Sequence, residues 1–155
     1  VWEGGHRVPA IASWPSVIPS STEISLLTMT CDVMPTLLSI ADVGRDGHQP
    51  LDGTNLTPWL TDPSRAAEAL SERALFWNGT AMRQGPWKLI QTKGTPAPRY
   101  QLFNLKQDLS ETQDLATQYP KRVDSMRRAL THWKTDMEQT RTSQPSHNVE
   151  QPSKR

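Results

Sequence analysis

The sequence predicts an α/β fold in which the C-terminal end of a large α/β domain is followed by a small antiparallel four-stranded sheet packed with one long helix. Three patterns predict it: alternating strand-like and helical runs, then four short apolar runs between turn residues, then an apolar repeat at helical spacing. We expect residues 1–60 to be the remnant of the α/β domain and residues 61–139 the small α+β subdomain. Residues 140–155 are polar with two prolines, and we expect a disordered tail there.

The composition limits the classes of function. A formal net charge of +1 over 155 residues gives no reason to expect a nucleic-acid partner. No apolar stretch approaches the roughly 20 residues that cross a bilayer, so no membrane span is expected. The single cysteine, Cys31, excludes an internal disulfide bond and a multi-cysteine metal site. Because no His, Asp or Glu cluster has metal-ligand spacing, no metal site is expected in this chain.

Two strands are predicted in the first part of the chain. Val8 to Trp14 is apolar and precedes a turn bracketed by Pro15 and Pro19, and we expect a short buried strand there. Ile24 to Met29 is a second strand-like run.

A helix is predicted between Asp32, a favourable N-cap, and Gly44, a typical stop signal. Its apolar residues recur at helical spacing and are Val33, Leu37, Ile40 and Ala41. Residues 45–58 are predicted to form a loop, which Trp59 and Leu60 close.

The small subdomain is predicted to begin with four strands joined by tight turns. The strands are Ala74–Trp77, Ala81–Gln84, Trp87–Thr92 and Tyr100–Leu105. Asn78-Gly79 between two such runs is a strong hairpin signal, and Gly85-Pro86 marks the next turn. The pattern therefore predicts an antiparallel meander.

One long helix is predicted from about Lys121 to Glu138, and Pro120 lies where a helix start tolerates proline. An apolar stripe at spacings of three and four comprises Val123, Met126, Leu130, Trp133 and Met137. We expect this stripe to pack on the meander, with Trp87 and Trp133 in the core.

Five segments, in one order along the chain, resemble segments of a known family. They are Glu3-Gly4-Gly5-His6-Arg7-Val8-Pro9 with Trp14-Pro15, Asp32-Val33-Met34-Pro35-Thr36-Leu37-Leu38, Leu51-Asp52-Gly53, Arg83-Gln84-Gly85-Pro86-Trp87-Lys88-Leu89-Ile90, and Leu102-Phe103-Asn104-Leu105 with Asp108 and Glu111. Together they resemble the C-terminal part of the formylglycine-dependent sulfatases of the alkaline-phosphatase superfamily. Ser16 departs from the family pattern, which often has glycine there, and we expect only the turn to change.

The resemblance implies that the whole protein is an arylsulfatase-type sulfuric-ester hydrolase that cleaves sulfate esters of an aryl or carbohydrate substrate. In that family a formylglycine, made from Cys or Ser in a C/S-x-P-x-R motif, is the nucleophile. A calcium ion neutralises the sulfate, and Lys and His groups protonate the leaving oxygen. A sulfate monoester is negatively charged, which explains why such a site needs cations.

None of these catalytic groups is expected in this chain. Cys31 lacks Pro and Arg at the required offsets, so it is not the formylglycine precursor, and we expect a small buried residue there. The nucleophile, the calcium ligands and the active-site Lys are expected before Val1. We therefore expect the chain to be inactive alone and to need the N-terminal part of the same protein as a partner.

The family also implies a sulfated small molecule or glycan as substrate and a periplasmic, secreted or lysosomal localisation. Two other functions stay open. One is a non-catalytic accessory or glycan-binding fragment derived from a sulfatase, and the other is a related phosphate-ester hydrolase.

The candidate site residues lie in the first nine positions. His6 is the candidate substrate contact, with a hydrogen-bonded structural histidine as the alternative. Glu3 and Arg7, four residues apart, are expected to form an ion pair that fixes the neighbouring loop, or alternatively to border the sulfate pocket. Gly4 and Gly5 are expected to serve a positive φ or a close backbone approach.

Other features have simpler interpretations. Asn55 and Asn78 each begin a glycosylation sequon, although the hairpin turn also explains Asn78. A basic helix face is predicted to be solvated, although it would suit a sulfated glycan; its residues are Lys121, Arg122, Arg127 and Arg128. Trp59 and Trp77 could line a cleft. Three histidines are predicted at the surface: His48, His132 and His147.

Overall fold

The computed structural model describes residues 1–44, 51–65, 72–94 and 96–143. The chain divides into two compact units. The N-terminal unit comprises Trp2–Leu75 and Arg83–Trp87, and the C-terminal unit comprises Val1, Phe76–Met82 and Lys88–Arg155. The division between these two units passes through three strands of the sheet described below. It is therefore not the domain boundary after residue 60, which stays a proposal about the whole protein.

Short helices form the regular structure of the N-terminal unit. They are α1 (Glu3–His6), α2 (Val33–Ile40) and α3 (Thr57–Thr61), with 3-10 turns at Thr30–Asp32 and Pro63–Arg65. The sequence pattern predicts a loop up to Pro58 and no helix at α3. Pro58 is compatible with the first turn of α3, because the first helical N–H groups have no partner within the helix.

The two strands predicted in the first part of the chain are wrong. Residues 8–14 and 22–29 have no regular secondary structure, and Val8 and Ile11 are 78% and 96% exposed. A strand is stable only beside a hydrogen-bonded neighbour, and the described residues of this unit place none next to these segments. Apolar composition alone therefore does not produce a strand here.

Helix α2 forms where the sequence predicts a helix, but its buried side is different. Val33 and Leu37 are more than half exposed, whereas Pro35 and Thr36 are buried. The helix ends at Ile40, and Asp42 rather than Gly44 supplies the left-handed residue, with φ of 51°. The amides of Asp42 and Val43 donate to the carbonyls of Ser39 and Leu38, the pattern of a Schellman motif.

The four-stranded antiparallel sheet confirms the predicted meander. Its strands are β1 (Ala74–Trp77), β2 (Ala81–Gln84), β3 (Trp87–Thr92) and β4 (Arg99–Asn104), in the order β1-β2-β3-β4. Asn78 and Gly79 both have positive φ, of 49° and 63°, as a tight hairpin turn of the I′ type requires. Each strand thus follows its neighbour through a short connection.

Helix α4 (Pro120–Ser143) follows the sheet. It continues beyond Glu138, so residues 140–143 are helical and the tail predicted from residue 140 is wrong for them. Residues 144–155 lie outside the described part of the chain. Met137, the last residue of the predicted stripe, is 39% exposed, so the expectation that it packs on the sheet is wrong.

Apolar burial holds the C-terminal unit together. Met126 and Leu130 on α4 are almost completely buried, and Trp133 stacks on Phe76 of β1 with ring centroids 5.1 Å apart. A cluster of buried residues consists of Ala81, Ile90, Phe103 and Leu105, with Val1 and Trp77 packed against it. Trp77 therefore belongs to the core of this unit. Burying each large side chain contributes about 1.5–3 kcal/mol.

One ion pair is buried within the same unit. The Lys88 ammonium lies 2.7 Å from the Glu111 carboxylate, with both side chains inaccessible or nearly so, and 6.0 Å from the centroid of Trp77. Each charge compensates the other, and the aromatic face adds a favourable contact to the cation. None of the described helices is long and apolar enough to cross a membrane.

Candidate functional site

Helix α1 carries the residues that the sequence singles out. It is a single turn in which the amide of Arg7 donates to the Glu3 carbonyl and that of Gly5 to the Trp2 carbonyl. Glu3 points inward and is only 4% exposed, whereas His6, the last helical residue, is half-buried. The turn thus places a buried carboxylate on one side and His6 and Arg7 at its carboxyl end.

The Glu3 carboxylate is shared by two arginines. Its Oε2 lies 3.8 Å from Nη1 of Arg7 and 3.5 Å from Nη1 of Arg83. The first contact is the pairing within α1 that the spacing suggests. The second comes from the end of β2, which is far away in sequence, and the sequence pattern does not predict it. The only signal for it was the position of Arg83 in the segment before the Gly85-Pro86 turn.

Arg83 is held in place by its own hairpin. Its Nε donates to the carbonyl of Gly85 over 3.1 Å, and Gly85 has φ of 54°, in the region that favours glycine. Burial lowers the pKa of Arg83 below its ordinary value, the Glu3 carboxylate opposes this shift, and the neighbouring charge of Arg7 adds to it. The guanidinium nevertheless stays charged, because arginine titrates far above neutral pH.

The expectation for Gly4 and Gly5 is wrong in this structure. Neither has a positive φ, and a Cβ atom built on either meets no described atom within 4 Å. Both lie on the open side of α1, so the local backbone does not require glycine. A glycine is needed instead at Gly53, where a Cβ atom would lie 1.9 Å from the Cys31 carbonyl oxygen.

A second polar cluster surrounds Asp32. Its two carboxylate oxygens accept hydrogen bonds from both terminal nitrogens of Arg73, at 2.6 and 2.8 Å. They also accept from the amides of Met29 and Thr54, at 2.7 and 2.8 Å. Asp32 is fully buried, and this bidentate geometry is the strongest form of carboxylate–guanidinium pairing. The side chain joins three chain segments, which makes its role structural.

The electrostatics of this cluster follow from its contacts. Burial alone would raise the pKa of Asp32, but the hydrogen bonds from Arg73, Met29 and Thr54 outweigh it and hold that pKa below its usual range. The same pairing raises the pKa of Arg73. The sequence identifies Asp32 only as a helix cap. Its side chain does not cap α2. It accepts instead from the Met29 amide, in the capping box of the 3-10 turn, and from Arg73 and the Thr54 amide.

Cys31 differs from the expected small buried residue. It is exposed, because its neighbour Asp32 takes the inward position in the 3-10 turn. Partial burial and the adjacent Asp32 carboxylate raise the pKa of the thiol, which favours the less reactive protonated form.

The described residues do not fit a calcium site. No three His, Cys, Asp or Glu side chains among them are grouped so that they could hold a metal ion. No role in binding calcium or carrying the formylglycine is therefore assigned to any of these residues.

The remaining candidates are distributed over the surface of the chain. His132 is exposed and lies 2.9 Å from Asp136, and Arg127 and Arg128 pair with Asp124 on the solvated face of α4. The Asn55 side chain is engaged by Ser39 and by the Thr57 amide, whereas Asn78 is exposed at its turn. His48 and His147 lie outside the described residues.

Together, the antiparallel sheet, its long helix and the short helices before it define an α/β class of fold. A sulfatase from Formosa agariphila is 31% identical over 136 residues, which cover 77% of this chain and 24% of that protein. Arylsulfatase G from Mus musculus is 33% identical over 75 residues, covering 48% of this chain and 14% of that protein. No family model matches the chain.

The fold is similar to that of a solved structure. The crystal structure of Ps i-CgsB in complex with k-i-k-neocarrahexaose superimposes with a TM-score of 0.63 at 25% identity, covering 77% of this chain and 27% of that chain. The chain therefore belongs to the sulfatase family, as the five segments predict. It spans about a quarter or less of the curated relatives' length.

Proposed function

We propose that this chain is the C-terminal region of an arylsulfatase-type sulfuric-ester hydrolase. The observation that carries the proposal is the set of five sulfatase-like segments in family order, joined to a sheet and helix that superimpose on the crystal structure of Ps i-CgsB. The chain supplies a folded small unit and the segment from Glu3 to Arg7. The rest of the protein supplies the nucleophile and the metal ligands that the family implies.

The segment from Glu3 to Arg7 is proposed to border the substrate pocket. The buried Glu3 anchors the turn through Arg83, so that His6 and Arg7 are presented at its end. A sulfate monoester is an anion, and positive or hydrogen-bonding groups beside it stabilise it where water is partly excluded. His6 is therefore proposed as a substrate contact that binds a hydroxyl or a sulfate oxygen.

A sulfated carbohydrate is proposed as the substrate class. The support is that a similar structure at 25% identity was solved with k-i-k-neocarrahexaose, a sugar oligomer. A periplasmic, secreted or lysosomal localisation is proposed on family grounds. Calcium and formylglycine, when present in the whole protein, supply charge neutralisation and the nucleophile, and the residues of this chain position the substrate.

Turnover assays test the proposal at two levels. Residues 1–155 alone and the full product of the gene are compared on an aryl sulfate and on a panel of sulfated oligosaccharides. We expect background rates from residues 1–155 and hydrolysis by the full product, fastest on a sulfated sugar. Hydrolysis by residues 1–155 without calcium, or a full product that cleaves phosphate esters but no sulfate ester, contradicts the proposal.

His6→Ala in the full product tests the site. We expect a lower turnover number or a higher KM with an unchanged melting temperature, because His6 lies at the end of a one-turn helix and is only half-buried. A lowered melting temperature with unchanged kinetics means that His6 is structural.

A further inference from the structure

Glu3, Arg7 and Arg83 form a cluster with one more positive than negative charge. Glu3 supplies one negative charge, and the guanidinium groups of Arg7 and Arg83 both lie within 4 Å of the same oxygen atom. The three side chains therefore carry a net charge of +1 in a partly buried setting. The two cations repel each other, and solvent screens this repulsion only on the exposed side of Arg7.

Arg83 is the partner that the fold provides for Glu3. Its side chain is 21% exposed and its Nε is fixed by the Gly85 carbonyl, so its position does not depend on Glu3 alone. It is also nearer to the carboxylate, at 3.5 Å against 3.8 Å for Arg7. Arg83 alone would neutralise Glu3.

Arg7 is held much less firmly. Its side chain is 55% exposed, and 3.8 Å exceeds hydrogen-bond distance. Among the described residues, none accepts a hydrogen bond from its guanidinium. An exposed pair of this kind adds little stability. Arg7 therefore keeps a full charge and five N–H donors whose planar arrangement matches sulfate and carboxylate oxygens.

The charge balance around Arg83 agrees with this. Burial lowers the pKa of Arg83, Glu3 opposes that shift, and Arg7 lowers it further. An anion bound to Arg7 removes the repulsion that this arrangement contains. The exposed side of Arg7 is where such an anion can approach, because its side chain is 55% exposed.

We propose that Arg7 is a specificity-determining residue that binds an oxyanion of the substrate, a sulfate or a carboxylate, while Arg83 neutralises Glu3. This inference rests on the proposed function, since the substrate is taken to be a sulfate ester. The oxyanion is either the ester sulfate itself or a second anionic group on a more highly charged sugar.

The test uses the full product of the gene, with Arg7→Gln and Arg7→Lys assayed on an aryl monosulfate and on a disulfated hexosamine. We expect Arg7→Gln to raise KM about tenfold with little change in kcat, as the loss of one charge-assisted hydrogen bond predicts. Arg7→Lys should restore part of the affinity, because it keeps the charge. A rise on both substrates identifies the ester sulfate as the oxyanion, and a rise on the disulfated sugar alone identifies a second group.

Arg128→Gln is the matched control. It removes the same charge from an exposed guanidinium that pairs with Asp124 four residues away on α4, and we expect unchanged KM on both substrates. Melting temperatures of Arg7→Gln and Arg128→Gln should both equal that of the wild type. If Arg7→Gln leaves KM unchanged on both substrates, or lowers the melting temperature and kcat without raising KM, the inference is overturned.

Arg83→Gln gives an independent test. Without Arg83, the buried Glu3 draws in Arg7, so KM should rise as it does in Arg7→Gln, and the melting temperature should fall as well. The double variant should then show no further rise in KM, whereas additive increases in KM contradict the shared carboxylate. A wild-type product that hydrolyses neither ester means that the proposed function fails, which is distinct from failure of this inference.

Discussion

The two units of the chain are stabilised by different kinds of contact. Every buried hydrophobic side chain among the described residues lies between Leu75 and Leu130, and most belong to the sheet and α4 of the C-terminal unit. In the N-terminal unit the buried side chains include Glu3, Asp32 and Thr36, while Val8, Ile11 and Leu37 are exposed. One unit is thus held mainly by apolar burial and the other by ion pairs and hydrogen bonds.

This difference determines which substitutions destabilise each unit. Apolar packing is spread over many contacts, each of which contributes little by itself. A buried charge depends on a small number of partners, and removing one leaves an uncompensated charge. We therefore expect single substitutions of polar residues to unfold the N-terminal unit selectively.

Removal of Arg73 should have the largest effect. Arg73→Ala leaves the fully buried Asp32 carboxylate without its counter-ion, and we expect a loss of about 3–5 kcal/mol in the stability of the N-terminal unit. In hydrogen exchange of residues 1–155, the amides of Met29 and Thr54 should lose protection. The protection of Leu89 and Leu130 should not change. The control Arg128→Ala, on an exposed pair, should change nothing, and equal losses in both units contradict the comparison.

Truncation of Leu102 tests the other unit. Leu102 on β4 has no exposed surface, and Leu102→Ala removes buried methyl groups, at a cost of about 3 kcal/mol. Exchange protection should fall across β3, β4 and α4. Exposed Leu37 is the matched control, and Leu37→Ala should leave exchange rates unchanged. Destabilisation by the control as large as that by Leu102→Ala means that Leu37 is buried in solution.

Acid should weaken the N-terminal unit through Asp32. Since the folded state holds the Asp32 pKa below its ordinary value, the stabilisation is complete above about pH 4. It is lost as the pH falls through the lowered pKa and Asp32 takes up a proton. The amide shifts of Met29 and Thr54, which donate to this carboxylate, should titrate below pH 4 in an NMR series. A midpoint at or above that value is incompatible with the pairing.

The smallest effect is expected at Ser16, where the family often has glycine. Ser16 has φ of 66°, a region that costs residues with a Cβ atom about 1 kcal/mol, so Ser16→Gly should stabilise the chain slightly. The gain stays below about 1 kcal/mol, because glycine also increases the entropy of the unfolded state. Urea unfolding measures the difference. The control Ser20→Gly, at a position without positive φ, should destabilise the chain. If both variants change the free energy of unfolding in the same direction, the backbone conformation of Ser16 is not the cause.

The sequence by itself determined the sheet and helix of the C-terminal unit. Strand residues alternate with turn signals whose chemistry is local, and Asn78-Gly79 takes the positive φ values that its residue types allow. The stripe that includes Met126 and Leu130 faces inward, since a helical repeat fixes one side of a helix. The five sulfatase-like segments could be recognised for the same reason, because each is a continuous run of residues in the sequence.

Tertiary structure alone decided which charged residues pair with Asp32 and Glu3, and which backbone conformation the N-terminal unit takes. Arg73 and Arg83 are brought to Asp32 and Glu3 across 41 and 80 positions, and no local pattern records such a pairing. Val8 to Trp14 has the composition of a strand, but a strand exists only when a neighbour supplies its hydrogen bonds. Periodicity reports which side of an element is apolar, whereas only the folded chain determines which charges meet.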